Sequence, residues 1–147
     1  MSILDKAQVG LIGKESEVRE WIETNLHLAE KNYSLREKKE GEQTRTRYVI
    51  DVNGQDVNLA LYSDPMLPDY IQFGDIIGAN FICSYSKLTS TQGFPKMVGL
   101  NFDCSFSQLR SLEGMPELVD KDFVCCGLPF TKDEIASKIK VTCNIYC

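Results

Sequence analysis

The sequence is poor in the features that mark several protein classes. It has a single histidine, His27, and a single tryptophan in 147 residues, and its apolar runs extend for only a few residues. One histidine excludes a multi-histidine metal site, and the apolar runs fall far short of the roughly 20 residues that a membrane-spanning helix needs. No charged-then-apolar leader is found at the N-terminus, so we expect no secretion and a cytoplasmic location.

Basic side chains are also fewer than acidic ones. The chain has 16 basic and 21 acidic side chains, which gives a formal net charge of −5. Residues 1–48 are balanced in sign, so residues 49–147 carry the whole acidic excess. A protein that binds duplex nucleic acid concentrates Lys and Arg on one face to neutralise the phosphates. We therefore expect neither a nucleic acid nor a membrane as partner.

Catalytic signatures are missing as well. The sequence contains no Gly-rich phosphate loop, nucleophile elbow or paired-carboxylate motif. Its six cysteines, without a secretion leader, indicate free thiols in a reducing compartment rather than a disulfide framework. We predict no catalytic residue, no metal site and no cofactor. A cysteine- or metal-dependent enzyme remains the alternative, with Cys126, Cys143 and Cys147 as the thiols that could form a C-terminal site.

What the sequence does contain is an internal repeat of 21 residues. The residues that recur at this step are Phe81, Phe102 and Phe123, Cys83, Cys104 and Cys125, and Ile77, Val98 and Val119. Fainter units lie 22 residues to either side: Asn58, Leu59, Leu61 and Met66 upstream, and Val141, Asn144, Ile145 and Cys147 downstream. The sequence therefore predicts about five rungs, where a rung is one strand with the return segment that follows it.

Each rung reads apolar-x-apolar-x-x-polar-x-apolar, as in Phe102, Cys104, Ser107 and Leu109. The alternation predicts a short strand whose Phe and Cys side chains point inward. We expect the following Ser hydroxyl to satisfy backbone groups at the turn, and the return side to contain only turns or short 3₁₀ pieces. Cys83, Cys104, Cys125 and Cys147 would then stack in one inward column, in which Leu61 takes the first position.

This pattern resembles the leucine-rich repeat, whose core reads Leu-x-Leu-x-x-Asn-x-Leu. It is more closely similar to a short-repeat variant of large tailed bacteriophages and some bacteria, with units such as Cys-Ser-x-x-x-Leu-Thr-Ser-Leu-x-Gly-x-Pro-x-x-Val. The matching stretches are Cys83 to Val98 and Cys104 to Val119, and the resemblance covers residues 57–147. Ser86 and Ser107 replace the Asn of the general family, which weakens its side-chain ladder. The resemblance implies an architecture and a phage origin, but no activity.

The two ends of the chain predict caps for this array. Residues 16–29 form an amphipathic pattern with Ser16 as N-cap and Ala29 as its last apolar position, and strands are predicted at Tyr33–Leu35 and Arg47–Val52. Residues 37–46 are predicted as a solvated loop or hairpin tip. The pair Asn53-Gly54 is a turn signal that leads into the first rung at Val57.

At the C-terminal end, Thr131-Lys132-Asp133-Glu134 is a capping box that begins a helix, and a last edge strand is predicted at Val141–Cys147. The predicted fold is α+β: a short leucine-rich-repeat-like solenoid of about five rungs in a single domain. Residues 1–56 form the N-terminal helix and strand cap, residues 57–130 the repeat array, and residues 131–147 the C-terminal capping helix and last strand.

The outward face of the strands is the predicted binding site. By alternation it presents Asn80, Ile82, Ser84, Asn101, Asp103, Ser105, Asp122 and Val124, with Ala60, Tyr62, Cys126, Asn144 and Tyr146 around them. We predict a monomeric, non-enzymatic protein-interaction module whose mildly acidic face binds an unknown protein. For a phage protein, the partner would be a host protein in the host cytoplasm. Assembly through the exposed edge of the last strand is the second alternative.

Overall fold

The computed structural model describes residues 3–40 and 45–147. Two α-helices and eleven strands follow one another along these residues, and a 3₁₀ turn covers Glu30–Asn32. In chain order the elements are α1 (Ile3–Leu26), β1 (Tyr33–Glu40), β2 (Arg45–Val52), β3 (Val57–Asn58), β4 (Ile71–Phe73), β5 (Phe81–Ile82), β6 (Met97–Val98), β7 (Phe102–Asp103), β8 (Leu118–Val119), β9 (Phe123–Val124), α2 (Lys132–Lys138), β10 (Lys140–Val141) and β11 (Ile145–Tyr146). Neither helix has both the length and the apolar composition needed to cross a bilayer within these ranges.

Helix α1 and the β1–β2 hairpin form the N-terminal end. Val18, Ile22 and Leu26 are buried, because a spacing of four residues places them on one side of the helix. The helix differs from its prediction at both ends. It begins at Ile3, so Ser16 lies inside it rather than at the N-cap, and it ends at Leu26, which leaves Ala29 exposed.

The hairpin pairs β1 with β2 antiparallel over eight positions, from Tyr33 opposite Val52 onward. Both predicted strands fall within it, and both are longer at the hairpin end than the sequence indicated. Glu37 to Glu40 belong to β1, not to a loop, and the remainder of the predicted hairpin tip includes residues 41–44, which lie outside the described residues.

Five short parallel strands stack into one sheet in the order β11-β9-β7-β5-β3, as in a β-solenoid of about four turns. Phe81 pairs with Phe102, and Phe102 pairs with Phe123, so the 21-residue step is the rise from one strand to the next. The three phenyl rings are fully buried, with centroids 5.7 and 5.1 Å apart. The prediction of a mixed α+β solenoid is therefore confirmed at this level.

The return side of the solenoid carries a second parallel sheet, in the order β10-β8-β6. The prediction of turns or 3₁₀ pieces alone on this side is wrong. Val98 and Val119 are buried and pair across adjacent rungs, and Ile76 continues this column by an isolated bridge to Val98. The 21-residue step predicted Ile77 in this column. Ile77 is instead exposed, because the spacing between the first return segment and Val98 is 22 residues, which puts Ile76 in the column.

The first rung is also out of step with its prediction. Val57 pairs with Phe81, a spacing of 24 residues rather than 22. Leu59 therefore occupies the inward position before Cys83, while Leu61 is exposed. The extra residues lie in the connection to the second rung, which includes β4, where Ile71 pairs with Tyr48 of the hairpin.

At the C-terminal end Thr131 is confirmed as the N-cap of the predicted helix. The Thr131 hydroxyl accepts a hydrogen bond from the Glu134 backbone N–H at 3.2 Å, and α2 follows at once. The single strand predicted at Val141–Cys147 is instead two strands, because bends at Thr142 and Cys143 pass the chain from one sheet to the other.

Candidate interaction surface

The outer face of the five-stranded sheet presents three rows of side chains that run across the strands. The amide row consists of Asp56, Asn80, Asn101, Asp122 and Asn144, the middle row of Asn58, Ile82, Asp103, Val124 and Tyr146, and the end row of Ala60, Ser84, Ser105 and Cys126. All eight predicted site residues fall in these rows, so the fold brings them onto one face.

The amide row is a structural ladder. The Asp56 side chain Oδ1 accepts the backbone N–H of Asn80 at 2.8 Å, and Asn80 Oδ1 accepts the N–H of Asn101 at 2.8 Å. In the same way, Asn101 Oδ1 accepts the N–H of Asp122 at 3.0 Å, and Asp122 Oδ1 accepts the N–H of Asn144 at 2.9 Å. The side chains of Asn80, Asn101 and Asp122 therefore satisfy the backbone donor that precedes each next strand. The predicted row began with Asn58, but the 24-residue spacing puts Asp56 in that place.

The middle row is the central part of the face. Ile82, Asp103 and Val124 are neighbours on adjacent strands, and each is partly exposed. Asp103 Oδ1 accepts the backbone N–H of Ser105 at 2.9 Å, an interaction that fixes the direction of the carboxylate. The row therefore combines two apolar side chains with an oriented negative charge between them.

The end row contains a correction to the predicted site. Ser105 is only 5% exposed, because its hydroxyl turns toward the next rung and accepts the Cys126 backbone N–H at 3.0 Å. It is therefore not available to a partner. Ser84 and Cys126 remain partly exposed in this row.

Tyr62 is a second correction, because it is buried and not part of the outward face. It occupies the inward position that Ser86 and Ser107 take in later rungs, and its hydroxyl accepts a hydrogen bond from Trp21 Nε1 at 3.3 Å. The expected role of the serine hydroxyl at the turn is confirmed for Ser107 and wrong for Ser86. Ser107 Oγ accepts the Leu109 N–H at 3.5 Å, whereas buried Ser86 Oγ has no hydrogen-bond partner within residues 3–40 and 45–147.

A row that the sequence reasoning missed borders this face. Leu61, Tyr85 and Phe106 are 76%, 61% and 48% exposed, and we call them the apolar row. Their backbone N–H groups donate to Ser84, Ser105 and Cys126 carbonyls respectively, so the three residues stand in one register. All three have positive φ, and the fourth position of the register is Gly127. Gly127 is the one feature of the sequence that could have indicated this row, because a glycine in register with Tyr85 and Phe106 suggests a left-handed backbone position.

The strands and turns around these rows are acidic. Residues 56–64, 80–87, 101–108 and 122–127 contain Asp56, Asp64, Asp103 and Asp122 against a single base, Lys87. Four acids and one base give these segments a formal net charge of −3.

Three of the four cysteines predicted for the inward column are buried, whereas Cys147, the fourth, is exposed. Cys83, Cys104 and Cys125 are fully enclosed free thiols, and burial raises the pKa of each. For Cys125 the pKa rises to about 12, with smaller contributions from Cys147 and Cys126. The thiolate, which is the nucleophilic form, is disfavoured at all three positions. Cys143 and Cys147 are exposed, and Leu59 rather than Leu61 heads the column.

Other parts of the molecule offer less chemistry. An open cleft of about 520 Å³ lies beside the hairpin, where Arg36 donates to both carboxylate oxygens of Asp51, and Lys38, Asp75 and Lys96 line the cleft as well. Among the residues described, no three His, Cys, Asp or Glu side chains converge on a metal position. The chain matches no family model, no curated protein and no solved structure in our comparisons.

Proposed function

We propose that this protein is a non-enzymatic interaction module that binds another protein on the outer face of its five-stranded sheet. The observation that carries the proposal is the middle row, in which Ile82, Asp103 and Val124 project side by side from adjacent strands. Backbone pairing and the amide row hold these strands in a fixed register. A partner therefore meets a preorganised surface and loses little conformational entropy of this chain on binding.

The binding set we propose is smaller than the one predicted from sequence. Ile82, Ser84, Asp103 and Val124 remain as contact residues. Asn80, Asn101 and Asp122 position the strands through their Oδ1 atoms, although the rest of each side chain still borders the face. Ser105 is left out because it is buried.

We further propose that each strand of the sheet belongs to one repeat of a short leucine-rich type, which gives five rungs of unequal length. The spacings between paired strand residues, 24, 21, 21 and 22, support a shared repeat with irregular units at both ends. A phage origin, with a host protein as partner and the host cytoplasm as location, follows only from the resemblance of the repeat units.

Affinity capture tests the proposed face. The full chain is immobilised and exposed to host-cell lysate, and the proteins retained are compared for wild type, Ile82→Lys and Asp103→Lys. We expect both variants to lose a partner that wild type retains, because they place a large cation at the centre of the face. Glu113→Lys, an equal charge change at an exposed residue on the return side, is the matched control and should retain the partner. Equal capture by Asp103→Lys and wild type would reject the face.

The second candidate function is assembly through the last strand. It is favoured by one observation, which is that β11 stands at the end of the sheet order and pairs with β9 alone among the described strands. Light scattering over a range of protein concentrations tests it, and a monomer mass at every concentration would reject it. The enzymatic alternative could use only Cys126, Cys143 or Cys147, since the other three thiols are enclosed.

A further inference from the structure

The apolar row places three large side chains, each about half or more exposed, on adjacent rungs. Leu61, Tyr85 and Phe106 each follow the end row, at the carboxyl ends of three adjacent strand segments. The rings of Tyr85 and Phe106 stack at 5.0 Å with an angle of 20° between their planes. Scattered exposed apolar residues are normal on proteins, but a register of three on adjacent rungs forms a continuous patch.

The backbone at these positions is also strained. The φ angles of Leu61, Tyr85 and Phe106 are 65°, 55° and 56°, in the left-handed region that bulky side chains rarely adopt. Glycine takes this conformation freely, and Gly127 does so at the next rung with φ of 78°. Three large apolar side chains thus stand where glycine would be favoured by the backbone and where they gain only partial burial. Strain of this kind is typical of functional surfaces.

The glycine at the fourth rung extends the patch rather than ending it. A Cβ atom at Gly127 would lie 2.6 Å from Cδ1 of Phe106, so the phenyl ring rests over the glycine backbone. The rings of Tyr85 and Phe106 therefore form one stack that ends on the fourth rung, and the uncovered parts of these rings, together with Leu61, form an apolar strip along the stack. Tyr is among the residue types enriched in the few side chains that contribute most of the binding energy of protein interfaces.

The charge around the row selects the kind of partner. Asp103 stands in the middle row, three residues before Phe106, and the segments that form the face also contain Asp56 and Asp122, against one base, Lys87, two residues from Tyr85. This acidic surrounding repels the phosphates of nucleic acids and of anionic lipids. It attracts Lys and Arg, which enhances association with a basic partner. An apolar strip beside an acidic strand face therefore matches a polypeptide that carries both apolar and basic side chains.

We propose that the apolar row is the anchor of the interaction surface and that its occupant is a polypeptide segment in which apolar residues alternate with Lys or Arg. This inference rests on the proposed function and specifies the chemistry of the partner. The apolar side chains of the segment lie against the exposed parts of Leu61, Tyr85 and Phe106, and its cations lie near Asp103.

Labelled synthetic peptides test the proposal by fluorescence anisotropy with the full chain. The probe alternates Lys and Leu, and the two comparison peptides alternate Lys with Ser and Glu with Leu. We expect the Lys/Leu peptide to bind at least about tenfold more tightly than either, because only it satisfies both features of the site. Added salt should weaken its binding.

The decisive variant is the double change Tyr85→Gly and Phe106→Gly. We expect it to lose at least about tenfold in affinity for the Lys/Leu peptide, which is typical of removing one anchor residue or more. Its melting temperature should be unchanged or raised, because glycine relieves the left-handed strain. Leu61→Gly is a second variant of the same row, and Ile77→Ser, which removes an apolar side chain that is 66% exposed outside the row, is the matched control.

Each outcome bears on the proposal. Unchanged peptide affinity of both Gly variants, equal binding of the three peptides, or an equal loss in Ile77→Ser would overturn it. Lysate capture separates this inference from the proposed function. Loss of capture by Asp103→Lys, with full capture by the Gly variants, overturns the anchor and leaves the binding face in place. Capture unaffected by every variant rejects the proposed function itself.

Discussion

Asn101 lies at the centre of the amide row and hydrogen-bonds to the rung before it and the rung after it. Its backbone N–H donates to Asn80 Oδ1, and its own Oδ1 accepts the N–H of Asp122. Asn and Asp fit this place because a short side chain with an acceptor oxygen can reach a backbone donor one strand away. The Asn ladder expected to be weakened by Ser86 and Ser107 is therefore supplied at another position, immediately before each strand.

Replacing Asn101 by Ala should destabilise the protein without changing its fold. The Asp122 N–H loses its acceptor, so we expect the free energy of unfolding to fall by about 1 kcal/mol. Urea denaturation followed by circular dichroism measures the change. Ser84→Ala, a truncation on the same face that removes no acceptor of the amide row, should stay within about 0.5 kcal/mol of wild type. An equal loss in both variants would contradict the ladder.

The repeated elements show which strands the sequence could predict. Phe81, Phe102 and Phe123 fixed the three central strands, because identical residues at one spacing leave a single alignment. The first strand had two competing alignments, and residue identity favoured Asn58 with Asn80 over the actual pair of Asp56 with Asn80. The return sheet was missed because each of its strands offers a single recurring apolar position, Val98 or Val119, which shows no alternation, whereas the central strands repeat Phe and Cys two residues apart.

The corner between the two sheets depends on Gly99. Its N–H donates to the Ile76 carbonyl at 2.6 Å, and a Cβ atom there would lie 2.6 Å from the backbone nitrogen of Gly78. We expect Gly99→Ala to lower the free energy of unfolding by about 1–3 kcal/mol, since the clash is with backbone that must shift. Thermal and urea denaturation measure the loss.

Asp120 provides the matched control for this corner. It follows Val119 as Gly99 follows Val98, and it is exposed. Asp120→Ala should therefore change the free energy of unfolding by less than about 0.5 kcal/mol. A tolerated Gly99→Ala would show that the first corner has the same room as the second.

At the scale of the whole molecule, the sequence predicted the middle row of the candidate site but not the apolar row beside it. Alternation placed Ile82, Asp103 and Val124 on one face, because strand periodicity determines which side chains point outward. The apolar row escaped because the sign of φ cannot be read from Tyr85 or Phe106 themselves. Only their register with Gly127, which follows from the pairing of rungs, identifies the left-handed position.

The solenoid architecture also determines which rungs a destabilising substitution affects. In a stack of rungs, each rung contacts mainly its neighbours, so stability is close to a sum of local terms. Trp21 of α1 covers the first rung: its ring centroid lies 5.9 Å from that of Tyr62 and 6.4 Å from that of Phe73. A change at Trp21 should therefore affect the N-terminal rungs first.

We expect Trp21→Ala to open the N-terminal end while the distant rungs stay protected. Amide hydrogen exchange followed by mass spectrometry should show at least about tenfold lower protection in residues 57–62 and 71–73, which corresponds to about 1.4 kcal/mol of local stability. Protection in residues 102–124 should change little. Trp21→Phe keeps an aromatic ring but loses the hydrogen bond to the Tyr62 hydroxyl. Its protection in residues 57–62 and 71–73 should therefore lie between that of wild type and that of Trp21→Ala. A uniform loss of protection along the chain would show instead that the cap and the rungs unfold as one cooperative unit.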